Sequence, residues 1–331
     1  MKIFYLLNCL NKYGLGHITR GLLLANSLKK QKIYVQFLLI HGTSLSKKLL
    51  KKHSTIFINS SNQKTIAKRI NYTSDIEKVR YLIVDDSSLQ DAFFKTLNSK
   101  LKKISICDGD IKPKNYDMIF DQSLTFKASK KIFSASKFLI IKKKPFSLRK
   151  KFSLISSNKL NISLFFGAYA SKSKLKNIIN SINKIRKDND KFYFYFISNN
   201  TKDDFRINIL KKDKILTNLN SNKFLKEISK SDLAIGEGGN AALERYIIGL
   251  PSLNFLTNNN QKKILNLPLD KKVFFINKSK YNNTIKFYQR ELANFLSKFR
   301  KNKLFLKKNN KIRFDSNGSL RIAQIIKKLC I

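Results

Sequence analysis

Short runs of apolar residues alternate along the chain with longer stretches in which apolar side chains recur every three or four positions. The short runs predict buried β-strands, and the longer stretches predict amphipathic helices. Strands are expected at Ile3–Asn8, Ile33–Leu39, Thr55–Ile58, Tyr81–Val84, Ile104–Cys107, Met118–Asp121, Asn161–Phe166, Phe192–Ile197, Lys214–Leu216, Leu233–Ile235, Ser252–Phe255 and Val273–Ile276. Helices are expected at Ile18–Lys29, Ser44–Lys52, Leu89–Asn98, Ser173–Arg186, Asn222–Ser229, Ala241–Ile248, Asn260–Leu265, Thr284–Phe299 and Ser319–Leu329.

This alternation is typical of βαβ units, in which parallel strands form a sheet with helices on its faces. A chain of 331 residues is long for a single domain. We therefore expect an α/β protein with two Rossmann-like, doubly wound domains, residues 1–152 and 153–331, that face a cleft. The basic stretch from Lys142 to Lys159 is predicted to connect them, and the last helix to pack back on the N-terminal domain. Ligands of such sheets bind beyond the carboxyl ends of the strands.

The charge balance is extreme, with 67 Lys and Arg against 21 Asp and Glu and a formal net charge of +46. A surplus of this kind often indicates nucleic-acid binding, because cations neutralise phosphates. Here the lysines are spread over the whole chain, and no zinc finger, RNP motif or helix-turn-helix pattern concentrates them. We expect no specific nucleic-acid partner, but weak adhesion to anionic membrane surfaces or RNA at low salt.

The spacing of the cysteines and the lengths of the apolar runs indicate the cellular compartment in which the protein is expected. Cys9, Cys107 and Cys330 are far apart and form no C-x-x-C pair, so neither a disulfide framework nor a zinc site is predicted. No run reaches the roughly 18 apolar residues of a membrane span. The apolar start from Met1 to Leu10 lacks a cleavage site and predicts a strand rather than a signal peptide. A cytoplasmic protein is expected, and the sequence leaves its oligomeric state open.

The first candidate site lies between the first strand and the first helix, where Gly14 and Gly16 precede His17. Two glycines allow a tight turn that exposes amides at a helix N-terminus, where an anion can bind. His17 would stand at the mouth of that turn, and imidazole titrates close to neutral pH. We predict that His17 is a general base, with a purely structural histidine as the alternative. His41 and His53 stand in ordinary polar contexts.

A second candidate site follows the strand around Leu233, where Gly238 and Gly239 come directly before a helix. Consecutive glycines at a helix N-terminus offer free amides and the positive end of the helix dipole, which suits a diphosphate. Glu244 lies one turn into the helix and could accept hydrogen bonds from the two ribose hydroxyls. The alternative is an ordinary glycine turn followed by a surface glutamate.

Two acidic pairs stand at predicted strand ends: Asp85 with Asp86, and Asp108 with Asp110. The second pair matches the Asp-x-Asp motif by which some sugar-nucleotide transferases bind a divalent cation. Three-residue patterns arise often by chance, so helix capping or a place in the cleft wall is favoured over metal binding. No zinc-ligand spacing is present, and neither a metal nor an organic cofactor is predicted.

Taken together, these segments resemble the PseG/SpsG family of UDP-2,4-diacetamido-2,4,6-trideoxy-β-L-altropyranose hydrolases, which is similar in fold to the two-lobed GT-B glycosyltransferases. The matching segments keep the family's order along nearly the whole chain. They are Gly14-Leu15-Gly16-His17 through Arg20 with Leu24-Ala25, Val84-Asp85, Cys107-Asp108, Asn115–Gln122 with Asp117 and Gln122, Leu148-Arg149 with Phe152, Gly238-Gly239 through Glu244, Gly249-Leu250-Pro251, Asn260-Gln261, and Asp315 through Gly318 with Arg321.

The resemblance implies an enzyme that hydrolyses a UDP-sugar without a metal, in pseudaminic-type nonulosonic acid or surface-glycan biosynthesis. His17 would activate the water that attacks the anomeric carbon and displaces UDP. The resemblance implies that Gly238, Gly239 and Asn240 bind the diphosphate and that Glu244 binds the ribose. Asn260 and Gln261 would bind the sugar or the phosphates. Gly14, Gly16 and Arg149 are also implied to bind the substrate.

Several positions depart from the family pattern. Asn8 replaces an acidic residue, the loop from Phe166 to Ala170 lacks a glycine and an aspartate, and Leu243 replaces an aromatic residue. The UDP-binding residues therefore match better than the sugar pocket. A GT-B glycosyltransferase with an unknown acceptor and an inactive basic binding protein remain as alternatives to the hydrolase.

Overall fold

The structure is a computed structural model that describes residues 1–9, 16–148, 160–167, 170–186, 192–198, 213–217, 219–257, 261, 267, 269, 274–277, 282–301 and 315–330. The chain divides into two compact units. Unit 1 comprises Met1–Lys142 and Arg313–Ile331, and unit 2 comprises Lys143–Ile312. The domain boundary predicted between residues 152 and 153 lies outside the described residues and stays a prediction.

The elements follow one another as strands and helices in alternation over most of the chain. The strands are β1 (Lys2–Asn8), β2 (Tyr34–Ile40), β3 (Thr55–Ile58), β4 (Tyr81–Asp85), β5 (Lys102–Cys107), β6 (Met118–Asp121), β7 (Ile132–Phe133), β8 (Leu160–Phe165), β9 (Phe192–Ser198), β10 (Lys214–Thr217), β11 (Leu233–Glu237), β12 (Ser252–Phe255) and β13 (Phe274–Ile276). The α-helices are α1 (Gly16–Lys30), α2 (Ser44–Leu50), α3 (Gln63–Ile76), α4 (Asp91–Thr96), α5 (Lys144–Ser147), α6 (Lys172–Ile185), α7 (Ser221–Ile228), α8 (Asn240–Ile248), α9 (Ile285–Lys301) and α10 (Gly318–Leu329).

Each unit is built on one parallel sheet. In the described part of unit 1 the sheet has seven strands in the order β3-β2-β1-β4-β5-β6-β7. In the described part of unit 2 it has six, in the order β10-β9-β8-β11-β12-β13. All the strand pairs among the described residues run parallel. The predicted α/β class with two Rossmann-like, doubly wound units is confirmed.

The apolar run of β1 shows why both faces of the sheet must be covered. Ile3, Tyr5 and Leu7 point into a core shared with α1 and α10, whereas Phe4 and Leu6 point into a second core shared with α3 and α4. Successive side chains of a strand face opposite sides, so a strand buried on both faces is almost wholly apolar. Unit 2 repeats the arrangement, with α6 and α9 on one face and α7 and α8 on the other.

Helix α3 forms where the sequence pattern predicts no helix. Its 14 residues bury only Ile66, Ala67, Ile70 and Ser74, which is too narrow an apolar stripe to stand out. The side chain of Asn62 accepts hydrogen bonds from the first amides of the helix, at 3.0 and 3.1 Å. The cap and the packing against the sheet therefore decide this helix, rather than its periodicity.

Helix α5 also departs from expectation, because it lies within the basic stretch predicted as a connection. Pro145 occupies its first turn, where a missing amide hydrogen has no consequence. The helix packs on α8, and Leu148 beyond its end joins an apolar core of unit 2. None of the helices among the described residues is long and apolar enough to cross a membrane.

Candidate functional site

Both sheets have a point at which the strand order reverses, and several of the predicted site residues lie there. In unit 1 the chain runs outward from β1 to β2 and β3, then returns to β4 on the other side of β1. In unit 2 it runs from β8 to β9 and β10, then returns to β11 beside β8. The connections at such a point leave on opposite faces and open a crevice at the carboxyl ends of the two central strands.

In unit 1 this geometry brings His17 to Asp85. His17 is the second residue of α1, which follows β1, and Asp85 is the last residue of β4. The Nδ1 atom of His17 lies 2.6 Å from Oδ1 of Asp85. The His17 side chain is 21% exposed and that of Asp85 only 1%. The imidazole thus stands at the surface of the crevice on a buried carboxylate.

Arg20 and Tyr5 complete the environment of Asp85. Arg20 lies one turn after His17 on the same face of α1. Its Nε donates to Oδ2 of Asp85 at 3.0 Å, its Nη2 also contacts Oδ1, and its Nη1 donates to Asp108 at 2.7 Å. The Tyr5 hydroxyl donates to Oδ2 of Asp85 at 2.9 Å. We call Tyr5, His17, Arg20, Asp85 and Asp108 the His17 network.

Charge in the His17 network favours ionised carboxylates and a protonated imidazole. Burial alone would lower the pKa of His17, but the charge and hydrogen bond of Asp85 outweigh it and raise that pKa above 6.5. Burial alone would raise the pKa of Asp85, but Arg20 and His17 hold it well below its ordinary value. The pKa of Asp108 is likewise lowered, because Arg20 outweighs the effect of burial.

The contacts also determine the tautomer of the neutral imidazole. The carboxylate of Asp85 can only accept, so Nδ1 carries the hydrogen that joins them at 2.6 Å. Arg20 Nη2 lies 3.2 Å from the same nitrogen, but it cannot donate to an atom that already bears a hydrogen. In the neutral ring Nε2 is then unprotonated, which is the form that a general base requires.

The acidic residues at the strand ends divide into two kinds. Asp86 accepts hydrogen bonds from the backbone and hydroxyl of Ser88 at 2.8 and 2.6 Å, so it shapes the turn after β4. Asp85 and Asp108 instead bind Arg20. Among the described residues, no group of three or more His, Cys, Asp or Glu side chains could hold a metal ion. No motif links Asp85 to His17 in the sequence; the available signal was that Asp85 stands at the end of a predicted strand and His17 follows another.

In unit 2 the turn between β11 and α8 has the predicted form. Gly239 precedes α8 with φ 101° and ψ −161°, a conformation that side-chain-bearing residues rarely adopt. Among the residues that the structure describes, no atom lies within 4 Å of a Cβ added at Gly239. Asn240, the first residue of α8, is exposed. The first-turn amides of a helix have no intrahelical acceptor and can bind an anion.

Glu244 and Gln261 lie close to this turn in different settings. Glu244, one turn into α8, is only 8% exposed. Gln261 accepts a hydrogen bond from the amide of Thr257 at 2.9 Å and donates to Oε2 of Glu237 at 3.2 Å. Glu237 also forms an ion pair with Lys174 in the first turn of α6. Neither Glu237 nor Lys174 was among the residues expected from the sequence.

The remaining predicted residues are placed as follows. Gly16 is the first residue of α1, one position before His17. Gly14, Arg149 and Asn260 lie outside the described residues. His53, given no role from the sequence, packs edge-on against Phe37 at 5.4 Å between ring centroids.

Unit 1 also contains a pocket beside the His17 network, with a volume of about 590 Å³. Ser87 and Ile111 line both this pocket and the small cavity that touches His17. Aromatic, amide and charged side chains share the pocket wall. Those that bear on recognition are Gln90, Asp91, Phe94, Asp110, Lys112 and Asn115.

Comparisons with known proteins bear on the fold. No protein-family model matches the chain, and no curated protein matches it. Several solved structures do. S. aureus MnaA, solved with UDP, has a TM-score of 0.68 at 10% identity, covering 99% of this chain and 96% of its own.

Two further structures are similar over comparable lengths. The UDP-GlcNAc 2-epimerase of Neisseria meningitidis, bound to UDP-GlcNAc, has a TM-score of 0.63 at 12% identity over 99% of this chain and 100% of its own. A glycosyltransferase of Rickettsia africae has a TM-score of 0.63 at 16% identity, covering 99% of this chain and 98% of its own. These similarities, with the two parallel sheets, show that the chain has the α/β fold of the GT-B type.

Proposed function

We propose that this protein is an enzyme that cleaves the anomeric C–O bond of a UDP-sugar, with water as the nucleophile and His17 as the general base. The observation that carries the proposal is the contact between His17 and Asp85 at the reversal point of the unit 1 sheet. An imidazole held by a buried carboxylate, with its second nitrogen unprotonated in the neutral form, is suited to removing a proton from water.

The proposed step balances as follows. Water gives one proton to Nε2 of His17, and its oxygen forms a bond to the anomeric carbon. The bond from that carbon to the diphosphate oxygen breaks, and its electron pair leaves with UDP. Asp85 stabilises the imidazolium that results, because the two groups carry opposite charges at 2.6 Å. The products are the free sugar, UDP and a proton that His17 later releases to solvent.

We assign the UDP moiety to unit 2. The positive φ of Gly239 and the N-terminus of α8, which has no described side chain against Gly239, support a diphosphate there. Glu244 is assigned to the ribose hydroxyls, and Asn240 and Gln261 to the phosphates or sugar. The structures of similar fold include one solved with UDP and one bound to UDP-GlcNAc. The specific sugar, of the pseudaminic type, rests on the sequence resemblance alone.

The test is the release of UDP from a panel of UDP-sugars with no acceptor present. We expect His17→Ala to reduce turnover by about 10²- to 10⁴-fold while the affinity for UDP stays unchanged, because a base acts on water rather than on the nucleotide. His41→Asn is the matched control: His41 has φ 54°, which asparagine tolerates, and its imidazole contacts Ser61. Wild-type turnover in His17→Ala would disprove the assignment of the base.

A second candidate function, glycosyl transfer to an acceptor, is favoured by the pocket beside the His17 network. Its volume of about 590 Å³ is large enough for a small organic molecule, and its polar wall suits hydroxyl groups. Turnover in water enriched in heavy oxygen separates the two reactions. Hydrolysis places the heavy oxygen at the anomeric position of the free sugar, whereas a transferase leaves the UDP-sugar intact until an acceptor is supplied.

A further inference from the structure

Lys174 and Glu237, neither of which was expected from the sequence, stand at the reversal point of the unit 2 sheet. Lys174 lies in the first turn of α6, which follows β8, and Glu237 is the last residue of the adjacent strand β11. Nζ of Lys174 forms an ion pair with Oε1 of Glu237. The two side chains are 18% and 15% exposed, so the pair is largely buried but reaches the surface.

The cluster lies directly against the glycine turn. Oε2 of Glu237 accepts a hydrogen bond from Nε2 of Gln261 at 3.2 Å. A Cβ added to Gly238 would lie 3.1 Å from Cβ of Gln261, so Gln261 packs on the turn itself. We call Lys174, Glu237 and Gln261 the Lys174 cluster.

A carboxylate at this position opposes the binding of an anion unless a cation neutralises it. Like charges a few ångströms apart repel strongly where water is partly excluded. Taking an ion pair out of water also costs free energy that its own attraction often does not recover, so the pair by itself is weak evidence of a stabilising role. An ammonium group has three donors on a flexible stem, so it can keep its bond to Glu237 while donating to a second anion.

We propose that Lys174, positioned by Glu237, binds the diphosphate of the nucleotide in front of the Gly238–Gly239 turn. This inference rests on the assignment of the UDP moiety to unit 2. It deepens that assignment by naming a cation for a site otherwise made of backbone amides and uncharged side chains. Glu237 is a positioning residue: it holds the ammonium at the crevice and limits how strongly an anion is bound, which favours release of the UDP product.

The test is calorimetric titration of the full-length protein with UDP, inorganic pyrophosphate and uridine. In Lys174→Met we expect affinity for UDP and pyrophosphate to fall about 10- to 100-fold, because one charge-assisted contact is lost and Glu237 is left uncompensated. Uridine has no phosphate, so its affinity should not change. Glu237→Gln should bind both phosphate ligands several-fold more tightly, and Lys174→Met/Glu237→Gln should recover part of the loss.

The matched control is Lys176→Met, two residues further along α6. Lys176 is exposed, and its substitution removes the same charge from a chain of net charge +46 without touching the Lys174 cluster. Its affinities should equal those of the wild type. Thermal unfolding of each variant checks that the protein still folds.

The outcomes separate the inference from the proposed function. If the wild type binds UDP and Lys174→Met binds it equally well, or loses uridine in the same proportion, the inference is wrong and the proposed function stands. If the wild type binds neither UDP nor pyrophosphate, the proposed function fails and the inference with it. If it binds pyrophosphate but not uridine, and Lys174→Met loses pyrophosphate, the inference is supported and the nucleoside assignment is wrong.

Discussion

At the scale of single residues, the carboxylate of Asp85 receives hydrogen bonds from three side chains of the described residues, those of His17, Arg20 and Tyr5. The contact of His17 constrains the imidazole directly, and the other two do so indirectly. Arg20 and Tyr5 hold the carboxylate in place, and the carboxylate in turn holds Nδ1 of His17. Because Asp85 stays ionised, it also stabilises the protonated ring and raises the pKa of His17.

This arrangement predicts a particular pH dependence. A base acts in its deprotonated form, so activity should rise with pH through the raised pKa of His17 and be lost below it. Asp85→Asn removes the negative charge and should lower that pKa, which moves the acidic limb of the profile of kcat/KM to lower pH. The plateau rate should fall by about 10²-fold, because the ring orientation is no longer held. Arg20 keeps its partner Asp108 in this variant.

The control is Asp86→Asn, which changes the neighbouring carboxylate that contacts Ser88 instead of His17. Its acidic limb should coincide with that of the wild type. If Asp85→Asn left the acidic limb of the pH profile of kcat/KM unchanged, the group that titrates in that profile would not be His17.

At the scale of elements, the terminal helix α10 supports the helix that carries His17. It packs on α1, burying Ile322, Ala323 and Ile326, and Ser27 Oγ lies 2.9 Å from Ser319 Oγ. The approach is close at Gly318, where an added Cβ would lie 2.0 Å from the carbonyl oxygen of Leu139. Backbone atoms cannot turn away as a flexible side chain can, so this position requires glycine.

We therefore expect Gly318→Ala to destabilise unit 1 by about 1–3 kcal/mol, the usual range for overpacking, as measured by urea unfolding. Turnover should fall with it, because α1 loses its packing partner. Asn317→Ala is the control: Asn317 is exposed, and its side chain makes no cap hydrogen bond, so unfolding should be unchanged. If Gly318→Ala unfolded at the same urea concentration as the wild type, α10 could shift without a loss of stability, and the prediction would be wrong.

At the scale of the whole molecule, a net charge of +46 over 331 residues should dominate long-range behaviour. The attraction to anionic surfaces is screened by salt, with a Debye length of about 10 Å at 0.1 M and about 3 Å at 1 M. We expect the protein to co-sediment with vesicles containing phosphatidylglycerol at the lower salt and to be released at the higher. Vesicles of phosphatidylcholine alone should bind none.

Retention on the anionic vesicles at the higher salt would contradict this expectation, because it would require insertion of apolar side chains rather than diffuse attraction. The measurement matters for the titrations of UDP as well. Diffuse attraction affects every anion alike, so only the contrast between Lys174→Met and Lys176→Met isolates a local contact.

The periodicity of the chain by itself determined the fold class and most of the elements. Burial on one or both faces leaves a repeat in the local sequence, so strands such as β1 and β11 could be predicted without knowing their neighbours. The glycine turn before α8 was likewise a local signal, because Gly239 must adopt a positive φ. Helix α3 was missed because capping and packing decide it.

Only the tertiary structure decided which chemical groups meet. His17 and Asp85 are 68 positions apart, and Lys174 and Glu237 are 63 positions apart. Each pair forms because the chain returns to the side of its first strand, placing β4 beside β1 and β11 beside β8. Strand order depends on how the strands and helices of the whole unit pack together. Strand order is thus a property of the packed sheet rather than of any short stretch of sequence. The sequence pattern therefore could not identify Asp85 as the partner of His17 or Glu237 as the partner of Lys174.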